Sequence, residues 1–332
     1  MALSHRRFAV VLNRNAKKVT QEVERISGEL VHPDDLFLSS SAEDSERIAA
    51  TLIERRYEAV FAGGGDGTVM HLINQLARYP LDRQPAVGIL KLGTGNAMAR
   101  MVSSGNVAGD LQTYIGSETR ECVDLSLVEC EGVRSPFLGL GIDAEILNDY
   151  RYVKQNFGQS VLKPVFQNVG GYFFGVFART IPRHARTALS GKAPVVRAVV
   201  KSGACLQVGA EGKVLRAFEP GQLIYEGPLM IALAGTVPFY GYGMKVLPHA
   251  TTDPQRMHLR IADLGTAKTL AVLPSLWKGE YSGADVSDFL VEEVELTFTE
   301  EMPFQMGGDA SGYRTQVAFK TIPKAVRLIK LL

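Results

Sequence analysis

Ala59-Val60-Phe61-Ala62-Gly63-Gly64-Gly65-Asp66-Gly67-Thr68-Val69-Met70-His71-Leu72 runs from a short apolar stretch through three glycines into a helical period. The stretch reads as a buried strand at Ala59–Ala62, a turn, and a helix over 68–79. Glycines in such a turn let the backbone approach a ligand closely, and the free amides at the start of the following helix form a phosphate site. A strand-to-helix turn also favours Gly and Asp for local reasons. Taken by itself, the loop leaves a purely structural role open.

Working outward, a second junction of the same kind, Leu92-Gly93-Thr94-Gly95-Asn96-Ala97, follows the strand Ala86–Leu90 and precedes a helix from about 96. Upstream, Phe8–Leu12 reads as a strand, 16–29 as a helix, Leu36–Leu38 as a strand and 42–56 as an amphipathic helix. Alternation of strand and helix predicts a parallel α/β sheet with helices on both faces. Two glycine loops at the carboxyl ends of neighbouring strands would face one crevice, where open α/β sheets bind ligands. The pair points to a nucleotide. No Lys follows the glycines as in G-x-x-x-x-G-K-[ST], and G-x-G-x-x-G with its later acid is absent, which disfavours a P-loop ATPase and a dinucleotide dehydrogenase.

After about residue 122 the pattern changes. VDLSLVEC, PFLGLGID, VVRAVVKSGACLQVGAEG, LMIALAG, RMHLRIAD and VEEVELTFTE are strands in close succession, separated by Gly, Pro and Asp turns. They predict an antiparallel sheet or sandwich, interrupted by a helical segment over roughly 147–180. The expected fold class is therefore α/β plus all-β. A nucleotide-binding parallel α/β domain spans 1–125 and a C-terminal antiparallel β-sandwich domain spans 126–316, with 317–332 free to return to the first domain.

Composition narrows the function classes. Lys+Arg against Asp+Glu is 36 to 35, so no global field recruits nucleic acid. Cys122, Cys130 and Cys205 are scattered without a C-x-x-C pair, which argues against a zinc site or a disulfide framework and fits a reducing cytoplasm. The apolar run Phe8–Leu12 is shorter than a signal-peptide core, and no stretch reaches the ~18 apolar residues of a spanning helix. The expectation is a chain that is soluble or lies on a membrane surface.

GGDGT at 64–68 followed by Asn74, and LGTGN at 92–96 followed by Ala99-Arg100, resemble the two nucleotide-binding signatures of the diacylglycerol-kinase catalytic family, which includes diacylglycerol, sphingosine, ceramide and bacterial lipid kinases. GGDGT is shared with NAD kinases. The resemblance continues more weakly in Gly139-Leu140-Gly141-Ile142-Asp143-Ala144, in Pro238-Phe239-Tyr240-Gly241-Tyr242-Gly243-Met244, and in Gln305-Met306-Gly307-Gly308-Asp309 at the place of the family's Asp-Gly-Glu. It implies an active site in a cleft between the two domains, and an ATP-dependent kinase that uses Mg²⁺ and phosphorylates a diacylglycerol-like or sphingoid lipid. Such an enzyme would be cytoplasmic and peripheral to a membrane, its partner a lipid substrate and not nucleic acid; a homodimer is left open. The sequence departs from the family at several points. Arg14, His71, Lys91 and Ala97 replace Pro, Glu, Pro and Asp, and only Asp309 survives of two carboxylates. Asp253-Pro254-Gln255 stands where the family has an Asp-Gly segment, which makes Asp253 a weak metal candidate.

Phosphoryl transfer requires a protein to hold ATP and Mg²⁺, align an acceptor hydroxyl and accept its proton. Asp66 in the first loop would orient the metal or the acceptor, with an Asp stabilising its own turn as the alternative. Asp309, on a turn with Gly307, Gly308 and Gly312, is the candidate general base, with a plain hairpin Asp as the alternative. Gly64, Gly65, Gly67, Thr68, Gly93, Thr94, Gly95 and Asn96 make up the nucleotide loops. The resemblance adds Asn13, and Ser39 stands where the family places a Thr near ATP, although Ser39-Ser40-Ser41 more readily reads as the cap of the helix at 42. The stretch Gly170–Arg186 sets aromatics beside cations and reads either as a membrane contact or as a core helix. Two other readings stay open: an NAD kinase, and a catalytically impaired nucleotide- or lipid-binding regulator.

Overall fold

The apolar runs Ala9–Leu12, Ala59–Ala62 and Ala86–Leu90 are buried, as parallel strands covered by helices on both faces must be, while Leu36–Leu38 is only partly covered. The computed structural model describes residues 7–93, 98–117, 121–145, 147, 194–240 and 243–331. One unit comprises Met1–Leu127, Tyr240–Gly243 and Ile322–Leu332; the other comprises Val128–Phe239 and Met244–Thr321.

In the first unit β1 (Phe8–Asn13), β2 (Leu36–Ser39), β3 (Ala59–Gly64) and β4 (Ala86–Lys91) form a parallel sheet in the order β4-β3-β1-β2. The register sets Asn13 beside Ser39, Leu12 beside Gly63 and Gly64 beside Lys91, so the polar strand ends share one edge. Leu328 of the long last strand pairs in parallel with Val87 and extends this sheet. The core packs Phe61 edge-on to Tyr114, with ring centroids 4.8 Å apart, and Phe8 against both.

Caps decide where the helices start. Thr20 Oγ1 accepts from Val23 N at 3.3 Å, so α1 spans Gln21–Leu30 and begins later than the expected 16. Helices α2 (Ala42–Glu54) and α3 (Asp66–Leu76) follow β2 and β3. The helix expected from about 96 is instead a short 3₁₀ turn at Ala99–Met101, then α4 at Val107–Gly116. The delay has a cause: Asn106 caps α4, and the buried Asp110 carboxylate ties the preceding turn by accepting from Ser104 Oγ and Gly105 N. Burial raises the Asp110 pKa against those two bonds.

The second half is antiparallel, as expected. The hairpin β5 (Cys122–Cys130) and β6 (Val133–Ser135) leads to β7 (Phe137–Gly141). Then follow β8 (Val195–Val208), β9 (Val214–Phe218), β10 (Leu223–Pro228), β11 (Ile231–Gly235), β12 (Met257–Ala262), a helix α5 (Thr266–Lys278), β13 (Val286–Met306) and β14 (Asp309–Ile329). The path β12-β11-β7-β13 closes on itself, because the first residues of β13 pair with β12 and its last three with β7. Strand β8 lies along β13 and carries β9 and β10. Phe289, Phe304, Phe319, Leu259 and Ile261 fill the interior. The helical expectation over 147–180 and the 170–186 stretch fall outside the described residues, apart from the single position 147.

An ionic cluster sits in this apolar unit. Asp288 accepts from His258 Nε2 at 2.8 Å and from Arg260 Nε and Nη2 at 2.7 and 2.9 Å, and all three residues are buried. Burial pushes His258 below the ordinary imidazole range and outweighs the pull of Asp288. The unfolded chain therefore takes up a proton that the fold refuses, so the stability from a neutral His258 is complete above about pH 6.5 and declines as pH falls below it. Thermal unfolding measured across that window should show the decline, and His258→Gln should flatten it. Asp288→Ala strands Arg260 without its counter-ion and should cost about 3–5 kcal/mol in denaturant unfolding. A loss under about 1 kcal/mol would show that water reaches Arg260.

Candidate nucleotide and acceptor sites

A cleft of about 300 Å³ opens at the carboxyl edge of the first unit's sheet. Asn13, Asn15, Ser39–Ser41, Ser45, Gly67, Thr68 and His71 line it. Asn13 Nδ2 donates to Thr68 Oγ1 at 2.9 Å and its Oδ1 accepts from Asn15 N at 2.9 Å, which locks the end of β1 to the first turn of α3. Asn15 Nδ2 in turn donates to Ser40 O at 2.7 Å. Capping of α2 falls to Ser41, whose Oγ accepts from Asp44 N, while Ser40 N donates to Asp44 and holds that carboxylate below its ordinary range. Ser39 is thus no cap; it is the buried last residue of β2, in the cleft wall.

The glycines divide into two kinds. A Cβ on Gly64 would stand 2.4 Å from Thr68 Oγ1, so only glycine fits there. Gly65 has φ −88° and ψ 179°, open to any residue, and among the described residues a Cβ on it would meet the Cα of Gly93, at 3.6 Å. The first loop therefore faces the start of the second; Thr94–Ala97, with the candidates Thr94, Gly95 and Asn96, fall outside the described residues. The N-cap of α3 is Gly65, which brings no side chain of its own to the helix start, and a helix N-terminus is an arrangement that binds phosphate. Asp66 opens α3, and its Oδ1 accepts from Met98 N at 3.4 Å. Asn74 Nδ2 donates to Met70 O.

Sequence reasoning missed Asn15, Ser45 and His71 as cleft residues. Spacing could have found two of them: Ser45 lies one turn beyond the cap Ser41, and His71 one turn beyond Thr68. The His71 Nε2 is buried without a hydrogen-bond partner among the described residues, an atom offered to whatever fills the cleft. Another junction was invisible in the sequence. Gly243, at φ +83°, lies against the Arg100 guanidinium, with 3.0 Å from its Cβ position to Cζ, so the glycine-rich turn meets the Ala99-Arg100 end of the second signature.

The second unit gathers the other motifs. Buried Gln305 donates from Nε2 to Asp143 Oδ2 at 3.0 Å and accepts at Oε1 from Gly308 N at 2.8 Å. Gly139 lies directly beneath, its Cβ position only 2.0 Å from Asp143 Oδ2. Gly307 and Gly308, at φ +59° and +92°, form a two-residue hairpin turn closed by the pair Met306 and Asp309. The Asp309 carboxylate is exposed at its tip. Elsewhere in this unit, Asp253 accepts from Gln255 N at 2.8 Å and pairs with Arg256. Among the described residues no cluster of three or more His, Cys, Asp or Glu forms a metal cage.

Comparison with known proteins agrees with the motif reading. Residues 7–127 match the diacylglycerol kinase catalytic domain family. A Cronobacter sakazakii protein named "Probable lipid kinase YegS-like" is 24% identical over 301 residues, covering 89% of this chain and 87% of that one. A Yersinia pestis protein of the same name is 23% identical over 273 residues, covering 80% and 77%. The fold is shared with a crystal structure titled as a diacylglycerol kinase from Bacillus anthracis str. Sterne, at a TM-score of 0.61 and 13% identity, covering 98% of this chain and 97% of that one.

Proposed function

We propose, from the kinship of residues 7–127 with diacylglycerol kinase catalytic domains, that this chain is an ATP-dependent kinase acting on a diacylglycerol-like or sphingoid lipid. The observation that carries the reading is the polar cleft walled by Asn13, Ser39 and Thr68 beside the α3 N-terminus, whose N-cap is Gly65. Gly64, Gly65 and Gly67 let the backbone reach phosphate, and Gly93, Thr94, Gly95 and Asn96 complete the nucleotide loops. Mg²⁺ accompanies ATP and neutralises phosphate charge. It commonly takes one or two carboxylates from a protein, and Asp66 is a hard oxygen donor at the loop. Asp253 would have to release Arg256 before it could hold a cation.

In the transfer, the acceptor oxygen forms a bond to the γ-phosphorus, the bond from that phosphorus to the β,γ-bridging oxygen breaks, and its electron pair leaves on ADP. The hydroxyl proton passes to the Asp309 carboxylate. Among the described residues no helix is long and apolar enough to cross a membrane. On this reading the enzyme works from the cytoplasm at a bilayer surface, where its lipid acceptor lies.

The test incubates the protein with γ-labelled ATP, Mg²⁺ and extracted total lipid, beside a lipid-free arm holding NAD. Label in the organic phase is the expected result. Label in NAD alone would replace the reading with an NAD kinase, and tight ATP binding without any labelled product would replace it with a regulator.

A further inference from the structure

Helix α5 is held to the second unit by one side and partly exposed on the other. Val272 packs with Met230, Ala262, Leu264 and Val286, and Thr269 Oγ1 contacts the Met230 sulfur at 3.7 Å. One turn of the opposite side carries Leu273, Pro274 and Trp277, and Leu273 and Trp277 remain 38% and 40% exposed. Trp277 is the only tryptophan in the chain. The helix holds no acid, and its two charges, Lys268 and Lys278, lie at its ends. Lys268 pairs with Asp285 at 2.9 Å; Lys278 has no ion pair among the described residues. Lys245 N donates to Trp277 O, which brings a further lysine to this helix end, with the acidic Glu280 following the Gly279 cap.

We propose that this face of α5 is the surface on which the protein docks to an anionic lipid bilayer, with Leu273 and Trp277 entering the interface and Lys245 and Lys278 meeting headgroups. The inference rests on the lipid-kinase reading for its partner: an acceptor that stays in a bilayer must be reached by surface contact. An indole beside an exposed leucine, flanked by lysines, is the chemistry that seats a helix at a membrane interface.

The single tryptophan makes the test direct. Trp277 emission is followed, without ATP, on adding vesicles of phosphatidylglycerol and phosphatidylcholine with or without brominated acyl chains. A blue shift, with quenching by the bromines, is expected. Leu273→Glu should lower vesicle co-sedimentation about tenfold. Lys278→Glu should lower it at low salt, and Leu215→Ser, on the exposed strand β9, should leave it unchanged. Melting temperatures establish that each variant folds. Co-sedimentation with unmoved Trp277 emission would overturn the proposal in favour of another face, and no sedimentation would overturn it outright. A shift that appears with protein concentration alone, with a dimer in sedimentation, would assign the face to a second copy. If vesicle lipid is phosphorylated while Trp277 does not respond, docking fails and the kinase reading stands. If Trp277 responds and no lipid is phosphorylated, the converse holds.

Discussion

Asp309→Asn is expected to lower kcat by about 10²–10⁴ with ATP affinity nearly unchanged, the usual size of a general base's contribution, the role proposed for this residue. Asparagine keeps the shape of the side chain and the closing pair with Met306, and the residue is exposed, so the hairpin and the melting temperature should persist. The turn itself is fixed from below by Gln305, which bridges Asp143 and Gly308. Single-turnover phosphorylation and equilibrium nucleotide binding, measured on the same preparation, separate the two effects. Asp66→Asn should differ by weakening metal-nucleotide handling as well as turnover. Near-normal kcat in Asp309→Asn would move the base to Asp66 and leave the 307–312 turn a structural hairpin.

Gly65→Val should abolish ATP binding in a folded protein. Valine can adopt the Gly65 backbone conformation, and its Cβ finds ordinary contact with Gly93 at 3.6 Å. The added methyls crowd the space beside Gly93 at the start of α3, where phosphate would approach the helix amides. Gly64→Ala is the contrasting case: its Cβ drives into Thr68, breaks the link from Asn13 to α3, and should cost about 1–3 kcal/mol of stability. Calorimetric titration with ATP and Mg²⁺, alongside melting curves, tells the two apart. Wild-type affinity in folded Gly65→Val would remove the loop from the nucleotide site.

Much of this molecule was legible in its sequence because the informative patterns are local. A β-branched run followed by glycines and a helical period specifies a strand, a turn and a helix wherever it occurs, and short alternating strands with Gly and Pro turns specify antiparallel pairing. The signature loops are also local, since phosphate binding needs consecutive backbone amides and small residues, so GGDGT and LGTGN carried the family reading unaided. Helix starts were less legible. Thr20 and Asn106 win over the apolar period by satisfying free amides, and a cap is visible only once the chain has committed to a direction.

What tertiary structure alone decided is which distant residues meet, because that depends on strand register and on where the chain returns. Gly65 facing Gly93, Gly243 against Arg100, and Asp143 linked through Gln305 to Gly308 join residues 28 to 165 positions apart, and no local spacing encodes them. The same holds for single roles. Ser39 became a cleft residue because Ser41 took the cap, and Asp253 is held by Arg256, whose other bonds, to Ala204 O and Glu292, come from distant strands. Helix α5 was unmarked in the sequence, where an apolar stretch containing Pro274 reads ambiguously. Only the seating of Val272 on Met230 determines that Leu273 and Trp277 are left on the outside.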